Sequence, residues 1–176
     1  MGMTTSRPAE DGILVRVADL HVGFGDHIVL RGVSLTVRPR EIVAVVGRSG
    51  CGKTTLLRAC IGAVPPLAGD GRIEGLPRDG GDRAARAAAR RRFGVLWQGG
   101  ALLGGLTVGE NVALPLRQHT RLDASTIAII VRLKLAQVGL AHAEHVRPSE
   151  LSGGMRKRAG LARALALDPP LVLCDE

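Results

Sequence analysis

One stretch constrains this chain more than any other: "GRSGCGKTT", Gly47 to Thr55, directly after the apolar run Ile42-Val43-Ala44-Val45-Val46. A short continuous apolar run predicts a strand covered on both faces. The turn that ends such a strand needs one or two glycines. Here three glycines, a lysine and hydroxyl side chains follow the spacing G-x-x-x-x-G-K-T, at Gly47, Gly52, Lys53 and Thr54. That spacing lets successive backbone N–H groups wrap a polyphosphate, with the positive end of the next helix behind them. Lys53 then reaches the β/γ-phosphates, and the Thr54 hydroxyl helps hold Mg²⁺. The plainer alternative is a glycine-rich turn that happens to precede a lysine. The strand before it and the helical run from Thr54 to Ile61 after it favour the phosphate loop, and the expected ligand is a nucleoside triphosphate.

A phosphate loop alone leaves kinases, GTPases, helicases and transporters open. A second stretch, "LSGGMRKR" from Leu151 to Arg158, narrows the choice. A serine and two glycines at the start of a helix offer a hydroxyl, free N–H groups and a helix N-terminus, which together suit an anion. Ser-Gly-Gly can also simply cap a helix. Its place between the phosphate loop and "LVLCDE", an apolar strand ending in two carboxylates, favours the anion site.

Composition excludes several classes. The 176 residues and 45% hydrophobic content suit one domain with a sizeable core. Cys51, Cys60 and Cys174 imply no disulfide framework, so a reducing cytoplasm is the simpler setting. "MGMTTSRPAEDG" is polar, lacks an apolar signal core, and reads as a flexible tail over residues 1–12. The longest uncharged run, Phe93 to Gly109, holds Gln98 and six glycines in 17 residues. It falls short of the roughly 20 apolar residues of a membrane span. The net charge of +8 rests mostly on arginine, yet the chain has only three aromatic residues. None of these is interleaved with the basic cluster as base stacking requires, so nucleic acid is not an expected partner. Arg83, Arg86 and Arg90 form a stripe at helical spacing behind Asp82. Such a stripe is usually a solvated face; the alternatives are contact with lipid headgroups or with a partner protein.

Along the chain, Ile13 to Leu20 and Val33 to Arg38 alternate like half-buried strands, and a short strand is expected around Ile73. "FGVLWQ" reads as another. Leu114 to Leu140 reads mostly as helix, with Gly139 near its end, and a further helix runs from about Gly154 to Ala166. No internal repeat is visible.

Taken together, these motifs resemble the ATPase subunit of ABC transporters over nearly the whole chain. The resemblance implies an α/β P-loop fold of the ABC ATPase type, with an antiparallel β subdomain and an inserted helical subdomain. It divides the chain into a nucleotide-binding core (13–98 and 166–176) and a signature-bearing lobe (99–165). It implies that Gly47, Ser49, Gly50, Cys51, Gly52, Lys53, Thr54 and Thr55 belong to the phosphate loop. By the same likeness Ser152, Gly153 and Gly154 form a signature that meets ATP in trans, across a homodimer. Thr54, Gln98 and Asp175 would hold Mg²⁺, and Glu176 would orient or deprotonate the attacking water. Phe24 looks like the aromatic that stacks on adenine; the plainer reading is a core or hairpin phenylalanine. Met155 in place of the usual glutamine, with "GALLGGLTVGENVALPLRQHT" and "KLAQVGL", is similar to the Mla/Mce-type phospholipid-transport ATPases. Those imply a permease dimer and a lipid-carrier component as partners, at the cytoplasmic face of the inner membrane.

The sequence departs from the family pattern at its end. Family members continue past the catalytic glutamate with at least one more core strand and a switch histidine, and none of the five histidines here lies downstream of Asp175. The expectation is a fold missing its last core strands, inactive as an isolated fragment. Two other classes stay open at this point: a soluble ABC-type ATPase acting on nucleic acid or ribosomes, and a non-hydrolysing relic.

Overall fold

The computed structural model describes residues 12–73 and 91–175. Packing divides the chain into two compact units, residues 1–74 and 75–176. The N-terminal tail, the arginine stripe with its Asp82 cap, and Glu176 lie outside the described residues. The partition into a nucleotide-binding core and a signature-bearing lobe is a functional one and stays a proposal.

The first unit is a three-stranded antiparallel sheet in the order β2-β1-β3, formed by β1 (Val15–Phe24), β2 (His27–Val37) and β3 (Ala68–Ile73). Alternation along β1 buries Val15 and Val17 on one face. A register shift around Asp19, whose φ is 46°, resets the alternation so that Leu20 and Val22 are buried as well. β1 and β2 close through Gly25-Asp26, with Phe24 opposite His27. Gly25 takes the positive φ of 55° that so short a hairpin loop requires. Helix α1 (Lys53–Cys60) lays Leu56, Ala59 and Cys60 on this sheet, adding roughly 1.5–3 kcal/mol for a fully buried leucine.

One expectation fails here. Ile42 to Val46 forms no strand and joins neither sheet of the described residues. Ile42 is 99% exposed and Val46 92%. A doubly covered strand is made by the neighbours that hydrogen-bond its edges and cover its faces. Without a ladder partner, apolar composition alone does not make one.

The second unit pairs two parallel strands, β4 (Phe93–Leu96) and β5 (Leu171–Cys174), with helices α2 (Val108–His119), α3 (Ala124–Gln137) and α4 (Gly153–Ala164). Its core joins Val108, Val112 and Leu116 of α2 to Val131 and Leu135 of α3 and to Ala159 and Ala162 of α4. The predicted helix from Leu114 to Leu140 is two helices. The first starts earlier, at a capping box in which Thr107 Oγ1 accepts from Glu110 N and Glu110 Oε2 accepts from Thr107 N. The second starts at Asp123, whose carboxylate accepts from Thr126 N at 2.9 Å. Both are sequence-local starts: a hydroxyl or carboxylate followed three residues later by the N–H it caps. Gly139, at φ 68°, sits just beyond the end of α3, where a left-handed residue is cheapest as glycine.

Candidate functional site

The phosphate loop belongs to the first unit. Residues 41–50 are exposed throughout, and Gly50 and Gly52 take φ of 79° and 100°. Gly52 is required on two counts: its left-handed backbone, and a Cβ that would fall 2.7 Å from Leu30 Cδ2 of β2. The loop curls so that the Lys53 ammonium donates to the carbonyls of Gly47 and Arg48, each at 3.0 Å. The charge is thereby held inside the loop, in reach of whatever the loop encloses. No side chain caps α1, and its first turn carries no acidic residue. A helix start with neither cap nor carboxylate leaves its positive end open to a bound anion. Thr54 and Thr55 lie in that first turn, partly buried. Cys51 is exposed beside Lys53, with Sγ 4.0 Å from Nζ, whereas burial pushes the Cys60 thiol up to about 11.

Phe24 stands at the hairpin tip and is 54% exposed. It is a hairpin residue rather than a core one, and its ring faces solvent.

In the second unit Gln98 and Asp175 both follow the ends of paired strands. β4 and β5 run parallel with Leu96 opposite Cys174, and Asp175 N donates to Leu96 O at 2.8 Å. Gln98, two residues beyond Leu96, and Asp175, one beyond Cys174, therefore leave the C-terminal ends of neighbouring parallel strands. Open α/β sheets bind ligands at that edge. Ser152, Gly153 and Gly154 are exposed at the start of α4, where Ser152 Oγ accepts from Met155 N at 3.2 Å. The serine does cap its helix, as the plainer reading held. Yet a Cβ on Gly154 would meet nothing within 4 Å, so the face beyond the cap is open. Thr54 carries a hydroxyl oxygen, and Gln98 and Asp175 carry amide and carboxylate oxygens; each is the hard kind of donor that Mg²⁺ takes. Thr54 lies in the first unit and the other two in the second. Among the described residues no group of three or more His, Cys, Asp or Glu could hold a metal ion.

Two residues missed in the sequence reading shape this region. Asn111 is fully buried and ties down the segment after Gln98: its Oδ1 accepts from Leu103 N at 2.8 Å, and its Nδ2 donates to Leu103 O and Thr107 O. Arg163 of α4 donates to the carbonyls of Gly100 and Ala101. The capping-box spacing Thr107 to Glu110 was a visible signal for the helix that carries Asn111; nothing local marks Arg163. A cavity of about 460 Å³ opens beside this segment, lined among others by Trp97, Leu114, Pro115, His119, Arg163 and Leu167.

The glycine-rich loop at a helix start, in a chain that mixes sheet and helix, is the mark of the P-loop class of α/β proteins. The sequence profile of ABC transporters matches residues 30–176. The chain belongs to the ABC transporter family. It is 44% identical over 165 residues to the probable ribonucleotide transport ATP-binding protein mkl of Mycobacterium tuberculosis, covering 94% of this chain and 46% of that one. It is 43% identical over 163 residues to the intermembrane phospholipid transport system ATP-binding protein MlaF of Escherichia coli, covering 93% and 61%. The chain thus spans about half the length of the curated relatives it matches. Among solved structures, the dimeric ATP-binding cassette MJ0796 in a post-hydrolysis state with ADP and Pi superposes at a TM-score of 0.82. That pair is 29% identical, covering 92% of this chain and 73% of the other. The cbiO1 protein of Clostridium perfringens superposes at 0.79 with 24% identity, a likeness of fold.

Proposed function

We propose that this chain supplies the ATP-binding and hydrolysing machinery of an ABC transporter that powers phospholipid movement through a membrane permease. The observation that supports the reading is that Gln98 and Asp175 follow the ends of neighbouring parallel strands, taken with the open loop around Lys53. The likeness to MlaF supports a lipid cargo. The likeness to mkl is equally high, and the ribonucleotide in that protein's name makes cargo the first thing to measure.

Within this reading Lys53 exchanges the Gly47 and Arg48 carbonyls for phosphate oxygens, a charge-assisted contact roughly twice as strong as a neutral one. Thr54, Gln98 and Asp175 would be the residues that hold Mg²⁺, and the ion would supply positive charge against the phosphoryl oxygens. Glu176 orients or deprotonates the water. Phe24 stacks on the base. Ser152, Gly153 and Gly154 approach the phosphates of ATP held by a second subunit, so that each site is completed by closure of a homodimer. The subunit sits peripherally on the cytoplasmic face of the inner membrane; no helix among the described residues is long and apolar enough to cross it. A permease element fits the cavity beside Trp97 and Pro115, and a lipid carrier completes the system.

The test uses the full-length protein with its permease. Glu176→Gln should abolish phosphate release while trapping an ATP-bound dimer, and Ser152→Arg should block the dimer while sparing nucleotide binding. Vesicles holding labelled phospholipid or labelled ribonucleotide then identify the cargo. Wild-type phosphate release by Glu176→Gln, or an ATP-dependent dimer from Ser152→Arg, rejects the site; transport of the ribonucleotide alone rejects the lipid assignment.

A further inference from the structure

Gln98 opens a turn whose next three residues all take left-handed backbone: Gly99 at φ 68°, Gly100 at 83° and Ala101 at 43°. Glycine enters that region freely and alanine does not. Three such residues in succession need an external hold, and α4 provides it. A Cβ on Gly160 would fall 2.7 Å from Gly100 Cα and 2.9 Å from Leu96 Cδ1, so helix, turn and strand touch through glycine backbone. From the next position on the same side of α4, Arg163 lays its guanidinium along the turn. Nη1 donates to Ala101 O at 2.8 Å and Nη2 to Gly100 O at 2.9 Å. Burial disfavours this charge, so the two carbonyls are what compensate it. The helix that carries this fork at one end begins at Ser152 at the other.

We propose that Arg163 is a positioning residue for ATP hydrolysis: its fork on Gly100 and Ala101 fixes Gln98 to the helix that starts at Ser152. The proposal rests on the role given to Gln98 above. An ammonium on a flexible stem can reach two carbonyls but lacks the fixed spacing of a planar fork, so lysine at this position keeps the charge and loses the rigid clamp. The residue touches neither nucleotide nor metal. Its effect passes through Gln98.

The experiment measures ATP turnover against ATP and Mg²⁺ concentration in the full-length protein with its permease, for R163K, Q98A and the double variant. R163K should lower kcat roughly tenfold to a hundredfold, the cost of a misplacement of about 1 Å, with KM for ATP little changed. It should also raise the Mg²⁺ concentration at half-maximal rate. The double variant should be no slower than Q98A alone, because one effect passes through the other. Amide hydrogen exchange should quicken at Gly99 to Leu103 and stay unchanged at Ala159 to Leu165. Losses that multiply in the double variant overturn the positioning role and leave Gln98 in place. Wild-type turnover in Q98A removes the assignment of Gln98, and this proposal with it. Exchange that quickens throughout α4 shows a merely structural residue and also overturns it. Should R163K not accumulate, G100A keeps Arg163 but drives a methyl against the Arg156 carbonyl; normal turnover in that variant refutes the proposal.

Discussion

Asn111→Leu should destabilise the second unit although leucine has as many side-chain heavy atoms as asparagine and the site is wholly buried. The magnitude follows from the partners. Leu103 O keeps a bond from Leu106 N, and Thr107 O keeps one from the residue 111 backbone N–H. Each carbonyl loses only its second bond, at about 0.5–1.5 kcal/mol. Leu103 N, which donates to Asn111 Oδ1 at 2.8 Å, is left without that acceptor, at about 1–3 kcal/mol. Apolar burial of the new side chain offsets part of this, so a net loss of about 2–3 kcal/mol is expected. For a unit of this size that lowers the melting temperature by roughly 8–12 °C. Asn111→Asp separates the donor role from the acceptor role. One oxygen can still receive Leu103 N–H, but the other would face the carbonyls of Leu103 and Thr107, where a negative charge is repelled. The folded-state pKa of that carboxyl is therefore raised. Its stability contribution is fully present below the unfolded value and is lost as pH rises through the folded one. Thermal unfolding of both variants from acid to neutral pH is the assay. An unchanged melting temperature for Asn111→Leu, or a flat pH profile for Asn111→Asp, would refute the claim that this amide holds the segment after Gln98.

Two further outcomes follow from the same geometry. Cys51, exposed in the phosphate loop, should react with a thiol reagent far faster than Cys60, whose thiol is buried and pushed up to about 11; MgATP should protect Cys51, and equal labelling with and without nucleotide would place the ligand elsewhere. The Glu110 carboxyl is held below its usual range chiefly by the Thr107 backbone N–H, so its cap contributes above the unfolded pKa and is lost as pH falls through the folded one. The gap in melting temperature between wild type and Glu110→Ala should therefore close in acid, and a gap that persists there would count against the capping box.

Some features were legible because their cause is local. The helix start at Lys53 and the left-handed glycines ahead of it are written in one contiguous string, from Gly47 to Thr55. The cap at Ser152 and the strand ahead of Asp175 are local in the same sense. The helix start at Val108 was also written locally, in Thr107 and Glu110, but the glycines before it and Pro115 within it masked the apolar period. Ile42 to Val46 is the opposite case. Its apolar run states what a buried strand would need, while burial itself depends on which chains lie alongside. Composition reports the demand and topology decides the supply.

Two side chains that escaped the sequence reading, unlike Asn111, have their partners far along the chain. Arg163 meets carbonyls more than sixty residues upstream, and the buried ammonium of Lys134 pairs with Asp168, thirty-four residues on. No window of sequence contains either pair. Both are also charges a hydropathy pattern assigns to the surface, since a stripe of cations is usually solvated. What brings Arg163 inward is the glycine at 160, which lets α4 approach Gly100 closely enough for the next basic residue on that side to reach the turn. The close approach at Gly160 is thus part of the same contact as the buried fork. It is also a sign that the glycine and the arginine stand or fall together: Gly160→Ala should displace the same turn that Arg163 holds, and its cost should not add to that of losing the guanidinium.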